Sequence, residues 1–490
     1  MNSVAKQGIK YSIVGYLGLL LGTFSVVFIF PYDMAFYGEL RYLLSSAQLF
    51  LPIVVFGISL ANVKFFYSAQ KQQKHQNLLS LSAIFIFVNF WLIFGLYYLA
   101  NTVFSSLKNT ELWQMKGAVF ALVIFLSLSN LLSKYISNYA KVALPNIFEN
   151  LFPKLANLLA FSAFVFWGMS LEASQMVFVV VFFLALAGYF LYANYLEKFS
   201  WDISTQYVRN QGVWKEILQY GFYVFLGNMG YYIALRIDNF MIGEFLGFEQ
   251  NGIYNILLSI LSLIMIPQVG VQNLAAPVVN QYITEKKIPQ LNRFYQETAL
   301  SLLLQGCVFF LCLTQGFPFL CSLLKNGEKI LQAQPILWVL GLSMLFDLAT
   351  SFNGQIISLS KYYKYNILIM MFLSAITIGL NWFFIQFTSL GILGIAIASG
   401  ISLFLFNLIK ISFIYSKLQL CPFSRKMLWV CGLFLFYLGL ISFFPAGKAT
   451  FWGAVWRCSG VIFIFGIGNY FLQIVPLGSL LPKKKNLEIR

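Results

Sequence analysis

The residues of this 490-residue chain with chemical potential are a few ionisable side chains set inside long apolar runs. Asp347 is the plainest case. It lies about twelve residues into the apolar run 335–357, with no charged residue for more than ten positions on either side. An ionisable group at membrane depth costs roughly 2.5 kcal/mol or more, so it is there to bind something or to be held by something. Asp347 heads a polar stripe with Thr350, Ser351, Gly354, Gln355 and Ser358, whose spacing of three and four puts them on one helical face. A carboxylate so placed suits coupling to a cation or proton; a purely structural bond to a neighbouring helix is the alternative. A second stripe, Ser127, Asn130, Lys134, Ser137 and Lys141, has similar spacing in the run 117–137 and just beyond it. Two such stripes point to a hydrated cavity, with Asn130, Lys134 and Gln355 as candidate substrate contacts.

Arg236 and Asp238 sit together near the end of the run 217–239. A guanidinium grips two oxygens of a phosphate or diphosphate at once, which makes Arg236 a candidate substrate-binding group, with Asp238 and Arg41 as further candidates. Residues two apart on a helix do not face each other, so a partner for Asp238 is sought in Arg41 or Arg457. Snorkelling to the outer headgroups is the competing reading for all four and the favoured one for Arg41 and Arg457.

The elements that must position these groups follow from composition. The chain is 60% hydrophobic and only 10% charged, with a mean hydropathy of +0.78. Soluble domains run near 25% charged, whereas a membrane helix needs about 20 mainly apolar residues. Apolar runs fall at 11–32, 43–63, 80–100, 117–137, 152–169, 174–196, 217–239, 252–274, 296–316, 335–357, 365–386, 391–414, 427–445 and 452–474. The expectation is an all-α polytopic membrane protein of about fourteen spans. With the N-terminus inside, 24 of the 32 Lys and Arg fall on the inner side, as the positive-inside rule requires. Both termini are therefore expected in the cytoplasm. The net charge of +16 is then topological, and nucleic acid is an unnecessary partner.

Several function classes drop out. Six cysteines without a C-x-x-C pair and a single histidine, His75, leave no ordinary zinc site. There is no G-x-x-x-x-G-K-[ST], G-x-S-x-G or H-E-x-x-H, and no cofactor is expected. The first apolar run is long and lacks a small-residue cleavage site, which argues against a removable signal. His75 reads as a solvated loop residue, and Lys483, Lys484 and Lys485 as a basic tail touching anionic headgroups. Pro52 and Pro267 should kink the second and eighth spans.

A faint internal repeat runs through the chain. IKYSIVGYLG (9–18) resembles LQYGFYVFLG (218–227), and Asp33-x-x-x-x-Gly38 echoes Asp238-x-x-x-x-Gly243. Gly38-x-x-x-x-Leu-Leu-Ser45 likewise echoes Gly252-x-x-x-x-Leu-Leu-Ser259, with Pro52 and Pro267 following. Six intervening spans restore orientation, so the repeat would be parallel, with its pseudo-two-fold axis along the membrane normal. The expected division is a six-helix lobe over 1–215, a second over 216–418, and two further spans with a basic tail over 419–490.

Two segments carry a family resemblance: IKYSIVGYLGLLLGTFSVVFIFPYD (9–33) and RIDNFMIGEFLGFEQNGIYN (236–255). The chain resembles the oligosaccharide (O-antigen and polysaccharide) flippases of the multidrug, oligosaccharidyl-lipid and polysaccharide exporter superfamily. The resemblance implies passage of an undecaprenyl-diphosphate-linked oligosaccharide from the inner to the outer leaflet of a bacterial inner membrane, by alternating access between two lobes. It implies a transporter rather than an enzyme, with membrane lipids and the polysaccharide assembly machinery as partners, and a monomer. Only the Arg236/Asp238 pair matches by motif, so the superfamily's other cavity cations are not carried over. A cation-coupled multidrug exporter of the same superfamily is the second reading. A polysaccharide polymerase or ligase is the third, disfavoured by short outer connections without histidine.

Overall fold

The computed structural model describes residues 20–139, 143–210, 213–443 and 449–475, together with Gly15, Gly18 and Lys141. Lys483, Lys484 and Lys485 lie outside the described residues. Every expected span meets a helix, and no strand occurs among the described residues. In chain order these are α1 (Leu20–Tyr32), α2 (Met34–Val55), α3 (Ile58–Lys71), α4 (His75–Val103), α5 (Lys116–Ser137), α6 (Phe152–Val165), α7 (Leu171–Leu196) and α8 (Val213–Phe245). There follow α9 (Phe248–Leu261), α10 (Ile266–Thr284), α11 (Ile288–Leu323), α12 (Gln334–Thr350), α13 (Asn353–Leu359), α14 (Tyr363–Phe387), α15 (Ile392–Leu418), α16 (Arg425–Ser442) and α17 (Phe451–Leu472). Among the described residues nine helices are long and apolar enough to cross a membrane, or eleven if each of two bent pairs is one span. The protein is an all-α, multi-pass membrane protein, and fourteen crossings remains the expectation from hydropathy.

The expected kinks are present, and their chemistry is visible. Pro52 sits inside α2, which ends four residues later at Phe56 and Gly57, both left-handed. α3 then departs at 43°. The bend strips the carbonyls of Ile53 and Val54 of their helical donors, and Asn89 of α4 replaces them with bonds of 2.8 and 2.9 Å. Gly57 has φ +72°, and a Cβ there would lie 2.3 Å from the Gly221 carbonyl oxygen, so the turn tolerates no side chain. Pro267 opens α10 after a 3₁₀ turn over Ser262–Met265 that interrupts the eighth span.

One break was not expected. The tenth span, read as continuous over 335–357, is divided at Ser351 (φ +53°), and α12 and α13 meet at 45°. The stripe headed by Asp347 therefore turns a corner instead of running down one straight face.

The chain forms two compact units, Met1–Ile256 with Met370–Ile395, and Leu257–Ile369 with Ala396–Arg490. In the first, α2 packs along α8 and α5, and α7 packs on α5 and α6. In the second, α11 is central and touches α10, α12, α16 and α17. These units are drawn by contact and do not coincide with the expected division at 215/216, because α8 runs against α2.

His75 is not the solvated loop residue expected. It begins α4, is largely covered, and its Nε2 lies 2.7 Å from Oε1 of Glu197. Gln76 and Tyr139 donate to the same carboxylate. Burial opposes ionisation of Glu197, but these three partners outweigh it and hold the carboxyl below the usual range.

Candidate functional site

In the first unit, the α2–α3 bend opens a cavity of about 200 Å³. Pro52, Val55, Gly57 and Ser59 form its wall at the bend, Asn130 and Lys134 reach it from α5, and Asn228, Tyr231 and Tyr232 from α8. Amide, ammonium, hydroxyl and phenol groups thus surround a space framed by apolar helices. That lining can hydrogen-bond a polyol and lay tyrosine rings against it.

Arg236 lies one helical turn beyond Tyr232, and its charge acts on both Tyr231 and Tyr232. Its Nε is buried with no hydrogen-bond partner, an arrangement that is costly unless something else accepts that proton. Arg41 is close enough for the two guanidinium charges to repel each other. Its own Nε donates to Asn255 Oδ1 at 2.9 Å. Asp238 accepts from Tyr254 on Oδ2 and from Asn381 on Oδ1, each at 2.8 Å.

A further cation escaped the sequence reading. Lys154, counted there only as an inner-side charge, is half-buried in α6, and its Nζ would lie 3.1 Å from a Cβ on Gly18. The nearby Glu149 accepts from Ser133 at 2.5 Å, and its charge reaches Tyr232. The ion pairs among the described residues are Lys74–Asp202, His75–Glu197, Lys287–Glu285 and Arg293–Glu297. None of them involves Arg41, Lys134, Lys154 or Arg236. These four share the first unit with the carboxyl groups of Glu39, Asp238 and Glu244, and of the four it is Lys134 that lines the cavity.

Asp347 and Gln355 lie in the second unit, apart from that cluster in the chain's division. Asp347 Oδ1 accepts from Asn407 Nδ2 at 2.9 Å, and Oδ2 from Gln268 Nε2 at 3.3 Å. Asn407 is fully buried and also takes Thr350 (3.1 Å) and Asn353 (2.8 Å) on its Oδ1. Gln355 donates to the Gln272 carbonyl at 2.9 Å. Gln268, Asn407 and the neighbouring Lys410 were not singled out from the sequence. Among the described residues no group of three or more His, Cys, Asp or Glu is placed to hold a metal ion.

The sequence model of a family described as polysaccharide biosynthesis protein matches residues 8–279, more than half of the chain and inclusive of both segments that carried the resemblance. No curated protein sequence matches significantly. The lipid II flippase MurJ, in an inward closed conformation, superposes with a TM-score of 0.73 at 15% identity, over 95% of this chain and 99% of that one. An inward-facing multidrug resistance MATE family transporter of the MOP superfamily gives 0.59 at 14%, over 82% and 98%. A MATE in complex with MaD3S gives 0.52 at 15%, over 85% and 97%. At such identities the likeness is one of fold. The chain has the fold of the lipid II flippase and the MATE transporters, and it belongs to the polysaccharide biosynthesis protein family.

Proposed function

We propose that this protein is a flippase that carries a polyprenyl-diphosphate-linked oligosaccharide, with undecaprenyl as the lipid, from the inner to the outer leaflet of a bacterial inner membrane. The observation that carries the reading is Arg236, whose buried Nε has no partner and which follows Tyr232 by one helical turn, Tyr232 itself lining a cavity with Asn130, Lys134, Asn228 and Tyr231. A diphosphate supplies the missing acceptors, and a sugar chain suits the amides and phenols. The polyprenyl tail stays in lipid. Movement is by alternating access between two six-helix lobes over 1–215 and 216–418, with 419–490 as an addition and both termini cytoplasmic. The partners are the lipid-linked sugar, membrane lipids and the polysaccharide assembly machinery. The protein works as a monomer.

A multidrug exporter of the same superfamily is the rival. A lipophilic cation in the cavity would meet the ammonium of Lys134, and like charge repels it. A reconstitution experiment tests the reading. Purified protein in sealed liposomes should make an undecaprenyl-diphosphate-linked oligosaccharide, initially inside, accessible to an external glycosidase. Efflux of ethidium with no movement of the lipid-linked sugar would replace this reading with the rival.

A further inference from the structure

The second unit holds a buried charge on each side of one hydrogen-bond network. Asp347 is bonded to Asn407 of α15, and Lys410 lies three residues beyond Asn407 on the same helix face. Lys410 is only 6% exposed. Its Nζ stands 3.6 Å from the centroid of the Phe406 ring, a favourable place for a cation. It also lies 3.1 Å from where a Cβ on Gly354 would be, so the polar stripe headed by Asp347 leaves room for the ammonium where it lacks a side chain. Each of the two charges acts on the other. Neither belongs to any of the four ion pairs among the described residues. Two acceptors on the same stripe, Ser351 Oγ and Gln355 Oε1, are buried without hydrogen-bond partners.

A lone buried carboxylate or ammonium is expensive, whereas one of each in a shared network leaves no net charge to bury. We infer that Lys410 is the tethered counter-cation of Asp347: the chain itself supplies the single positive charge that this carboxylate would otherwise take from solution as Na⁺. The amide of Asn407 holds the carboxylate, and the lysine stem lets the ammonium shift between Phe406 and the free acceptors Ser351 and Gln355 as α12 and α13 rebend. Transport through this unit then needs no Na⁺ at Asp347. The inference deepens the transporter reading and rests on it only for the role of the rebending; the charge pairing stands apart from any substrate.

The test uses full-length purified protein in nanodiscs, with radioactive sodium as the probe and thermal unfolding as a second readout. The variants are Asp347→Asn, Lys410→Met and the double variant, with Lys410→Gln as a polar substitute should the Met variant not fold. Wild type should show no saturable sodium binding that depends on Asp347. Lys410→Met or Lys410→Gln should gain such binding, and adding Asp347→Asn should abolish it. Each single variant should unfold at a lower temperature than wild type, and the double variant should recover part of the loss. Sodium binding by wild type that Asp347→Asn removes would overturn the inference, as would a double variant whose loss equals the sum of the singles. No arm uses a lipid-linked sugar, so failure of the flippase reading would be seen separately in the liposome experiment.

Discussion

Gly38 and Gly252 bring the backbones of α2 and α9 into direct contact. A methyl group on Gly38 would lie 1.8 Å from the Phe248 carbonyl oxygen, and one on Gly252 would lie 1.9 Å from that of Met34. The same two glycines occupy matching places in the internal repeat, each five residues before a Leu-Leu-Ser. At that register Arg41 matches Asn255, and these two are hydrogen-bonded to each other at 2.9 Å. In a two-fold repeat of the kind expected from the sequence, elements that touch their own equivalents are those nearest the axis. Asn251 tightens the crossing by donating to the Gly38 carbonyl at 2.8 Å.

The crossing should tolerate no side chain. Because the clash is with backbone rather than with a flexible side-chain end, Gly38→Ala and Gly252→Ala should each cost about 1–3 kcal/mol, at the upper end of overpacking penalties. Gly117→Ala and Gly379→Ala add a methyl with nothing within 4 Å and should unfold near the wild-type temperature. Thermal unfolding of the four purified variants checks the contrast. Equal midpoints for all four would mean that α2 and α9 do not cross as described.

Helix placement was legible because a span announces itself by length and apolarity. The kinks at Pro52 and Pro267 were legible because proline removes a helical donor. The break at Ser351 was not, since neither a proline nor a glycine lies there and the left-handed residue is a serine. The polar partners of the site escaped for a different reason. Asn407 lies 60 residues from Asp347, and Glu197 lies 122 from His75. Nothing local in a sequence records such pairings. Lys154 and Lys410 were hidden by the charge count itself, which treated each as an inner-side marker although both sit within helices.

The Glu197 cluster should show in the pH dependence of stability. Its carboxyl is held below the ordinary value in the folded protein. A depressed carboxyl contributes stability above the unfolded pKa and loses it as pH falls through the folded one. Unfolding temperature should therefore drop as pH falls through and below the ordinary carboxylate range, and Glu197→Gln should lower it at neutral pH while flattening that drop. Partial exposure limits the effect to under about 1 kcal/mol. A variant with the wild-type pH profile would remove Glu197 as its source.

Topology can be read from two exposed sites. In a chain stripped of its six native cysteines, Lys108→Cys and Arg209→Cys should respond oppositely to a membrane-impermeant maleimide. The charge bias places position 108 outside and position 209 inside, so only the first should label in intact cells. Labelling of position 209 from outside would invert the orientation, and the proposed direction of transport with it.

Arg236 is the sharpest test of the substrate reading. A diphosphate grip depends on the planar fork of the guanidinium, which lysine lacks. A side chain that only reaches toward headgroups needs charge and length, which lysine keeps. Arg236→Lys therefore separates the two roles where Arg236→Ala would not. Loss of a charge-assisted bidentate contact should cost about 1.5–3 kcal/mol, roughly a ten- to hundredfold loss of affinity. The readout is binding of an undecaprenyl-diphosphate-linked sugar to purified protein, with the alanine variant weaker than the lysine variant. Arg41 offers an internal comparison, because its Nε is already committed to Asn255. Arg41→Lys should lose less than Arg236→Lys. Wild-type binding by Arg236→Lys would make Arg236 an anchor, and the group receiving the diphosphate would have to be sought at Arg41, Lys134 or Lys154.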